Sequence, residues 1–114
     1  MTAAGCALGR RGEAVAAAWY AERGWNVVAR NWRCADGELD LVCRRGGLVA
    51  VVEVKARSSS RFGAPVEAVG PAKRARLRRV AAAWLRAQER PCGRVRFDVV
   101  SVGTSGVDVI EEAF

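Results

Sequence analysis

The sequence contains no histidine. This absence excludes His-based catalytic triads, histidine general bases and zinc sites of the HExxH type. Cysteine is present but unpatterned: the four cysteines include no CxxC pair, so they indicate neither a zinc site nor a disulfide framework. Each cysteine is therefore expected to act as a small buried hydrophobic residue.

Long apolar runs are also absent. Glu13, Glu22 and Arg23 interrupt the alanine-rich start of the chain, and no stretch reaches the length needed to span a membrane. No secretory signal is visible either. We therefore expect a cytoplasmic protein with reduced thiols and without a membrane partner.

Acidic residues are outnumbered. The chain has 12 Asp and Glu against 19 Lys and Arg, a net charge of +7. This excess favours a polyanionic partner, nucleic acid before an anionic membrane, although it also fits a merely soluble protein. The length of 114 residues and the apolar share of 51% predict a single domain, residues 1–114.

The apolar patterns predict the order helix, three strands, helix, two strands. The helices are expected over residues 9–23 and about 71–88, and the strands over 25–33, 38–44, 48–56, 94–102 and 107–110. Asp36-Gly37 and Gly46-Gly47 mark hairpin turns. The helix between the third and fourth strands predicts a right-handed crossover with parallel pairing. The expected fold is α/β, with a mixed five-stranded sheet covered by helices.

A two-residue turn at Gly46-Gly47 fixes the register of the second and third strands. It places Asp40 directly opposite Glu53 on one face of the sheet. Facing Cβ atoms in an antiparallel pair lie about 4.5–5.5 Å apart, and like charges there are unfavourable. The pair therefore indicates a divalent cation site, in which Asp40 and Glu53 supply carboxylates and the Val54 carbonyl a third oxygen.

Lys55 shares a face with Glu53 and lies opposite Glu38 in this register. Beside a metal, a lysine can orient or deprotonate a metal-bound water, or stabilise negative charge that develops when such a water attacks a substrate. Two structural alternatives remain open. Lys55 could simply pair with Glu38, or Asp40 and Glu53 could lie on an exposed sheet face and pair with Lys55 or Arg57.

The spacing of Asp40, Glu53 and Lys55 resembles the PD-(D/E)xK nuclease signature. Four blocks within residues 8–102 resemble, in order, those of the YraN-like family of predicted endonucleases: LGRRGEAVAAAWYAERGW, VVARNWRCADGELDLV, VVEVKARSSSRFGAP and RVRFDVV. That family is thought to be related to Holliday-junction resolvases. The resemblance implies a three-layer restriction-endonuclease-like fold, the strand order 1-2-3-4-5, and DNA cleavage that depends on Mg²⁺ or Mn²⁺.

The resemblance extends to other residues. Glu13 is similar to the first-helix Glu of the resolvase-like branch, a further metal ligand directly or through water, although it could be a solvated helix residue. Lys73 resembles the family's Lys at the start of the second helix. Asp98 is expected to form a polar link to a neighbouring backbone rather than to act in catalysis. Symmetric junction cleavage would need two active sites, so the resemblance also implies a homodimer.

The second predicted helix is basic and contains no acidic residue. Its basic residues are Lys73, Arg74, Arg76, Arg78, Arg79 and Arg86. They suit contacts with phosphates, or they form a solvated helix face. The predicted nucleic-acid contacts are Lys73, Arg76 and Arg79, with Arg57 and Arg61 beside the loop at 58–65. Trp25, Trp32 and Phe62 could stack on bases, but core packing is favoured for the two tryptophans.

Together these features predict a metal-dependent DNA endonuclease, with branched and single-stranded DNA among the candidate substrates. The alternative is a nucleic-acid-binding or partner-binding module that keeps the nuclease fold with little intrinsic activity. The intact set of Asp40, Glu53 and Lys55 favours the enzyme.

Overall fold

The structure, a computed structural model, describes residues 3–56, 69–104 and 106–114, with side chains from residue 10 onward. Helix α1 (Ala3–Glu22) is followed by strands β1 (Asn26–Cys34), β2 (Gly37–Arg45) and β3 (Leu48–Ala56). Helix α2 (Pro71–Arg86) precedes strands β4 (Arg94–Gly103) and β5 (Gly106–Ile110). The predicted order is confirmed, although α1 begins earlier than expected, in an alanine-rich segment of high helix propensity.

The five strands form a mixed sheet in the order β1-β2-β3-β4-β5. Strands β3 and β4 are parallel, and the other neighbouring pairs are antiparallel. Helix α2 lies in the crossover between the two parallel strands, as predicted. The predicted α/β fold is confirmed, and it is compatible with a restriction-endonuclease-like fold.

One helix covers each face of the sheet. Along β3, Val49 and Val51 pack in the layer of α2, whereas Ala50 and Val52 pack in the layer of α1. This alternation is the two-residue period of a strand that is buried on both faces. The α2 layer is completed by Leu77, Val80, Ala81 and Trp84, and the α1 layer by Ala16, Ala17 and Tyr20.

Trp25, Trp32 and three cysteines are buried or half-buried in the fold. Trp25 is buried in the α1 layer and Trp32 packs at the margin of the α2 layer, so core packing is confirmed for both. Phe62 lies outside the described residues. Cys43 is buried, and Cys34 and Cys92 are half-buried free thiols. None of the helices in the described ranges is long and apolar enough to cross a membrane.

The turn between β1 and β2 lies close against α2. Gly37 has a φ of +145°, which side-chain-bearing residues rarely adopt. A Cβ at this position would lie 3.4 Å from Cγ2 of Val80 and 3.6 Å from Cδ of Arg76. The close approach of turn and helix forms the cleft described below.

Asp98 is fully buried and ties α1 and the last residues of the chain to β4. It accepts hydrogen bonds from the Tyr20 hydroxyl at 2.5 Å, the Arg96 Nη2 at 3.1 Å and the backbone N–H of Glu112 at 3.0 Å. The expected backbone link is thus confirmed. Burial and the neighbouring Asp98 carboxylate raise the pKa of Tyr20 far above its ordinary value, so the phenol keeps its proton.

Candidate active site

The predicted register between β2 and β3 is confirmed. The pairing continues as far as Leu41 opposite Val52, so the next positions along the two strands are Asp40 and Glu53. Here Oδ2 of Asp40 accepts a hydrogen bond from the backbone N–H of Val54 at 2.9 Å. A side chain has taken the place of the backbone acceptor that a continued antiparallel ladder would offer. The two carboxylates therefore lie where the strands separate.

Glu53 is nearly buried and is held by two lysines. Its Oε1 lies 3.2 Å from Nζ of Lys55 and 2.7 Å from Nζ of Lys73. Lys55 belongs to the same strand, whereas Lys73 comes from the first turn of α2. Because Glu53 is only 8% exposed, its charge needs compensation within the protein, which the two ammonium groups provide.

The predicted pairing of Lys55 with Glu38 is wrong. Glu38 faces Arg33 across β1 and β2, and the Nε of Arg33 lies 3.2 Å from its Oε2. Because β2 no longer pairs with β3 beyond Leu41, the expected cross-strand position of Glu38 is not realised. Lys55 contacts Glu53 on its own strand instead.

Glu13 lies on α1. Its Oε2 accepts a hydrogen bond from the Asn31 Nδ2 at 3.0 Å, and its charge helps to raise the pKa of Asp40. Within the described residues, no group of three or more Cys, Asp or Glu side chains is placed to hold a metal ion. The role of Glu13 as a further ligand therefore stays a prediction.

The electrostatic surroundings of Asp40 are unbalanced. Burial, followed by the charge of Glu53, raises the pKa of Asp40 to about 7. The hydrogen bond from Val54 opposes this rise, while the charges of Glu13 and Glu38 add to it. Asp40 thus lies in an excess of negative charge, a condition that a bound cation would relieve.

The pKa values of the two lysines at Glu53 are shifted in opposite directions. Burial lowers the pKa of Lys55, and the neighbouring Lys73 lowers it further, while Glu53 opposes both effects only in part. Burial also acts to lower the pKa of Lys73, but its hydrogen bond to Glu53 leads the effects that together raise it. Lys55 is therefore the lysine that loses its proton more readily, and Lys73 is the more lasting cation.

Asp40 and Glu53 open onto a cleft of about 390 Å³. One wall is the β1–β2 turn at residues 34–38, and the other is the start of α2, with Lys73 and Arg76. A group that entered the cleft would meet carboxylates and basic side chains together. This combination suits a cation and a phosphate at neighbouring positions.

The predicted nucleic-acid contacts occupy different places. Arg76 and Arg79 are exposed on α2, and Arg76 lines the cleft. Lys73 is half-buried and engaged with Glu53, so it belongs to the site itself. Arg57 and Arg61 lie outside the described residues.

Two arginines of α2 pack against Phe114, a contact that was not predicted from the sequence. The guanidinium groups of Arg74 and Arg78 lie 5.3 Å and 5.2 Å from the ring centre of Phe114. Phe114 in turn stacks on Phe97, with ring centres 5.1 Å apart. Two arginines are thus committed to cation–π packing, and the exposed basic surface near the cleft is smaller than the sequence suggested.

The contact between Lys73 and Glu53 was also missed from the sequence. Reasoning from charge placed Lys73 among the phosphate contacts, and no spacing rule relates it to Glu53, because the crossover separates the two residues. The only signal was the family resemblance at the start of the second helix.

The fold and this site define an α/β protein whose mixed five-stranded sheet is compatible with a restriction-endonuclease-like fold and carries two carboxylates close to a lysine. The sequence model of the Uncharacterised protein family UPF0102 matches residues 12–102. The chain belongs to this family, which is the YraN family, so the resemblance found in the sequence is confirmed.

Relatives named UPF0102 protein occur in several bacteria. The chain is 55% identical to one from Beutenbergia cavernae over 96 residues, which cover 84% of this chain and 81% of the relative. It is 52% identical to one from Nocardia farcinica over 96 residues, 84% and 76% of the two chains. A relative from Clavibacter michiganensis is 46% identical over 111 residues, 93% and 94% of the two chains.

Proposed function

We propose that this protein is a Mg²⁺- or Mn²⁺-dependent endonuclease that hydrolyses phosphodiester bonds in DNA. The observation that carries the proposal is the meeting of Asp40 and Glu53 where β2 and β3 separate, with Lys55 at 3.2 Å from Glu53. The site opens onto a cleft with basic residues on one wall. This is the arrangement that metal-assisted phosphoryl chemistry requires.

The donor set fits Mg²⁺. This ion takes oxygen ligands, usually one or two carboxylates completed by waters and substrate phosphates. Asp40 and Glu53 offer the carboxylates. In an extended strand the N–H and C=O of one residue point to the same side, so the Val54 carbonyl faces the gap that its N–H faces. Bound there, Mg²⁺ or Mn²⁺ would lower the pKa of a water and polarise a phosphoryl oxygen, with Glu13 as the proposed further ligand.

Lys55 is assigned to the attacking water. It lies beside Glu53 and is half-buried, and burial lowers its pKa. A lowered pKa makes the ammonium group of Lys55 easier to deprotonate than that of an ordinary lysine. Lys55 thus holds the water in line and takes its proton, or stabilises the charge that develops on the phosphate.

The DNA backbone is assigned to the basic residues around the cleft. Arg76 and Arg79 on α2, with Lys73, supply cations for phosphates; Arg57 and Arg61 lie outside the described residues and stay predicted contacts. The net charge of +7 supports binding to a polyanion. The homodimer implied by the family resemblance would give the two sites that paired strand cleavage needs.

Cleavage assays test the proposal. Wild-type protein is incubated with nicked, branched, flapped and linear DNA and either Mg²⁺ or Mn²⁺, so that the assay covers the candidate substrates. Cleavage is expected for at least one substrate and should be lost in Asp40→Asn and in Glu53→Gln. Asp108→Asn, an exposed aspartate on β5, is the matched control and should keep full activity. If wild type cuts none of the substrates with either metal, the result contradicts the proposal and favours the alternative of a binding module with little intrinsic activity.

A further inference from the structure

Lys73 contacts the carboxylate that a metal at this site would use. Its Nζ is 2.7 Å from Oε1 of Glu53, the shorter of the two lysine contacts on that oxygen. The Lys73 side chain is 28% exposed, while that of Glu53 is 9% exposed. The ammonium group therefore covers the carboxylate from the cleft side.

The two lysines on Glu53 differ in how easily their ammonium groups can move away from the carboxylate. Lys55 is two residues along β3 on the same face, so the strand holds it near Glu53. Lys73 reaches over from α2 through a flexible four-carbon chain. Arg76 stands three residues further along that helix, on the same side, and lines the cleft. Rotation of the Lys73 side chain alone would carry its ammonium from Glu53 into the cleft beside Arg76.

A dication bound to the Glu53 carboxylate would lie close to both ammonium groups, and like charges repel strongly at this range in a partly buried site. Asp40 presents no such conflict, since the described contact of its carboxylate is the backbone N–H of Val54. The lysines therefore compete with a metal at Glu53 rather than at Asp40. Lys73 is the lysine whose side chain can move away.

We propose that Lys73 is an exchange residue. Without metal it neutralises Glu53; when a divalent cation binds, it moves into the cleft and, with Arg76, binds a phosphate of the DNA. The inference rests on the proposed function and deepens it. Metal and DNA then favour each other's binding by the same factor, as linkage requires, and Lys73 carries that coupling.

The first test measures Mn²⁺ affinity by calorimetry in the absence of DNA. Lys73→Met should bind Mn²⁺ about 5- to 150-fold more tightly than wild type, the usual range for coupled binding events. Arg86→Met, which removes one exposed charge at the other end of α2, should bind it as wild type does. Lys73→Gln serves as the second variant if circular dichroism shows that Lys73→Met is unfolded.

Two results separate the inference from the function on which it rests. Unchanged or weaker Mn²⁺ binding in Lys73→Met, with normal binding by wild type, overturns the exchange and leaves the metal site standing. Failure of wild type to bind Mn²⁺ at all overturns the metal site together with the exchange.

The second test measures DNA affinity against salt in a Lys55→Ala background, in which bound DNA should stay largely uncut. With Mn²⁺ present, Lys73→Met should reduce the log–log slope by about 0.9, the value of one lost phosphate contact on duplex DNA. Without Mn²⁺ it should leave the slope unchanged, since Lys73 is then held on Glu53. Arg79→Met should reduce the slope by about 0.9 in both conditions. Equal slopes for Lys73→Met and its parent in the presence of Mn²⁺ overturn the exchange.

Discussion

The Asp40 carboxylate accepts its hydrogen bond from the backbone of Val54 at 2.9 Å, across two strands that have ceased to pair. The bond holds the carboxylate in place but brings no positive charge to it. Glu53, next to it, has two lysines. The two acids of the site are thus fixed by different means, and their charges are compensated to different extents.

This imbalance predicts that Asp40→Asn stabilises the metal-free protein at neutral pH. The pKa of Asp40 is about 7 in the folded protein and 3.8 in its ordinary state, so between these values the folded state binds more protons than the unfolded state. Wild-type stability should therefore fall as the pH rises from about 4 to about 7. Asp40→Asn should remove that fall and be more stable above pH 7 by up to about 4 kcal/mol, at about 1.36 kcal/mol per pKa unit.

The measurement is urea unfolding in the presence of a chelator at pH 4, 5.5 and 7.5. Asp108→Asn, on the exposed side of β5, should follow wild type at every pH. A difference between Asp40→Asn and wild type that does not grow with pH would contradict the assigned pKa.

Divalent metal should stabilise wild type through the same two acids. A ligand present at 100 times its Kd adds about 2.7 kcal/mol to the free energy of unfolding. Protons compete for Asp40, so Mn²⁺ affinity should weaken as the pH falls below about 7. Thermal unfolding with increasing Mn²⁺ at two pH values measures both effects. An equal rise in Tm for the Asp40→Asn, Glu53→Gln double variant would place the metal elsewhere.

Lys55→Ala should slow cleavage while leaving binding nearly intact. Loss of one acid–base or charge-stabilising group costs about 10²–10⁴-fold in rate. Folding should survive, because Glu53 keeps Lys73 at 2.7 Å and Glu38 has its own partner in Arg33. Single-turnover rates, corrected for the folded fraction, give the comparison. If the variant unfolds while cleavage per folded molecule persists, Lys55 is a structural residue.

The exposed arginines of α2 should contribute to DNA binding through phosphates alone. Arg76→Ala and Arg79→Ala should each reduce the slope of log affinity against log salt by about 0.9 on duplex DNA. Both positions are exposed, so protein stability should change little. Binding titrations from low to moderate salt measure the slopes, and slopes equal to that of wild type would place the DNA on another surface.

Tyr20→Phe should destabilise the protein without touching the site. The variant removes the 2.5 Å hydrogen bond to buried Asp98, and loss of a buried hydrogen bond to a charged group costs about 1.5–3 kcal/mol. Asp98 keeps its contacts with Arg96 and Glu112, so the fold should persist. Urea unfolding measures the loss. Mn²⁺ affinity should match that of wild type, and a change there would mean that the Tyr20 contact also positions Glu13 at the metal site.

The position of the site was predictable because it depends on one short turn. Gly46 adopts a φ of +62°, and the two-residue loop leaves one register available to the strands on either side. Asp40 and Glu53 follow from that register by counting. The helix and strand order followed in the same way from local patterns, with errors of a few residues at the ends.

The sequence-based predictions failed in two situations. In one, the hairpin register was extended beyond the last paired residues; in the other, the contact joins residues that no local pattern relates. The expected pair of Lys55 and Glu38 assumed that the ladder continues, whereas Asp40 interrupts it by bonding to Val54. The contact of Lys73 with Glu53 depends on how the crossover returns α2 to the sheet. Only the packed structure sets that geometry.

The parallel pairing of β3 with β4 also has a consequence for the order of folding. The β2–β3 hairpin closes through neighbouring residues, but Leu48 pairs with Arg94 only after the whole crossover has returned, a slow kind of contact to form. We therefore expect Asp40 and Glu53 to come together before Lys73 reaches them. Until α2 packs on the sheet, the hairpin would carry the repulsion of the two acids without the charge of Lys73.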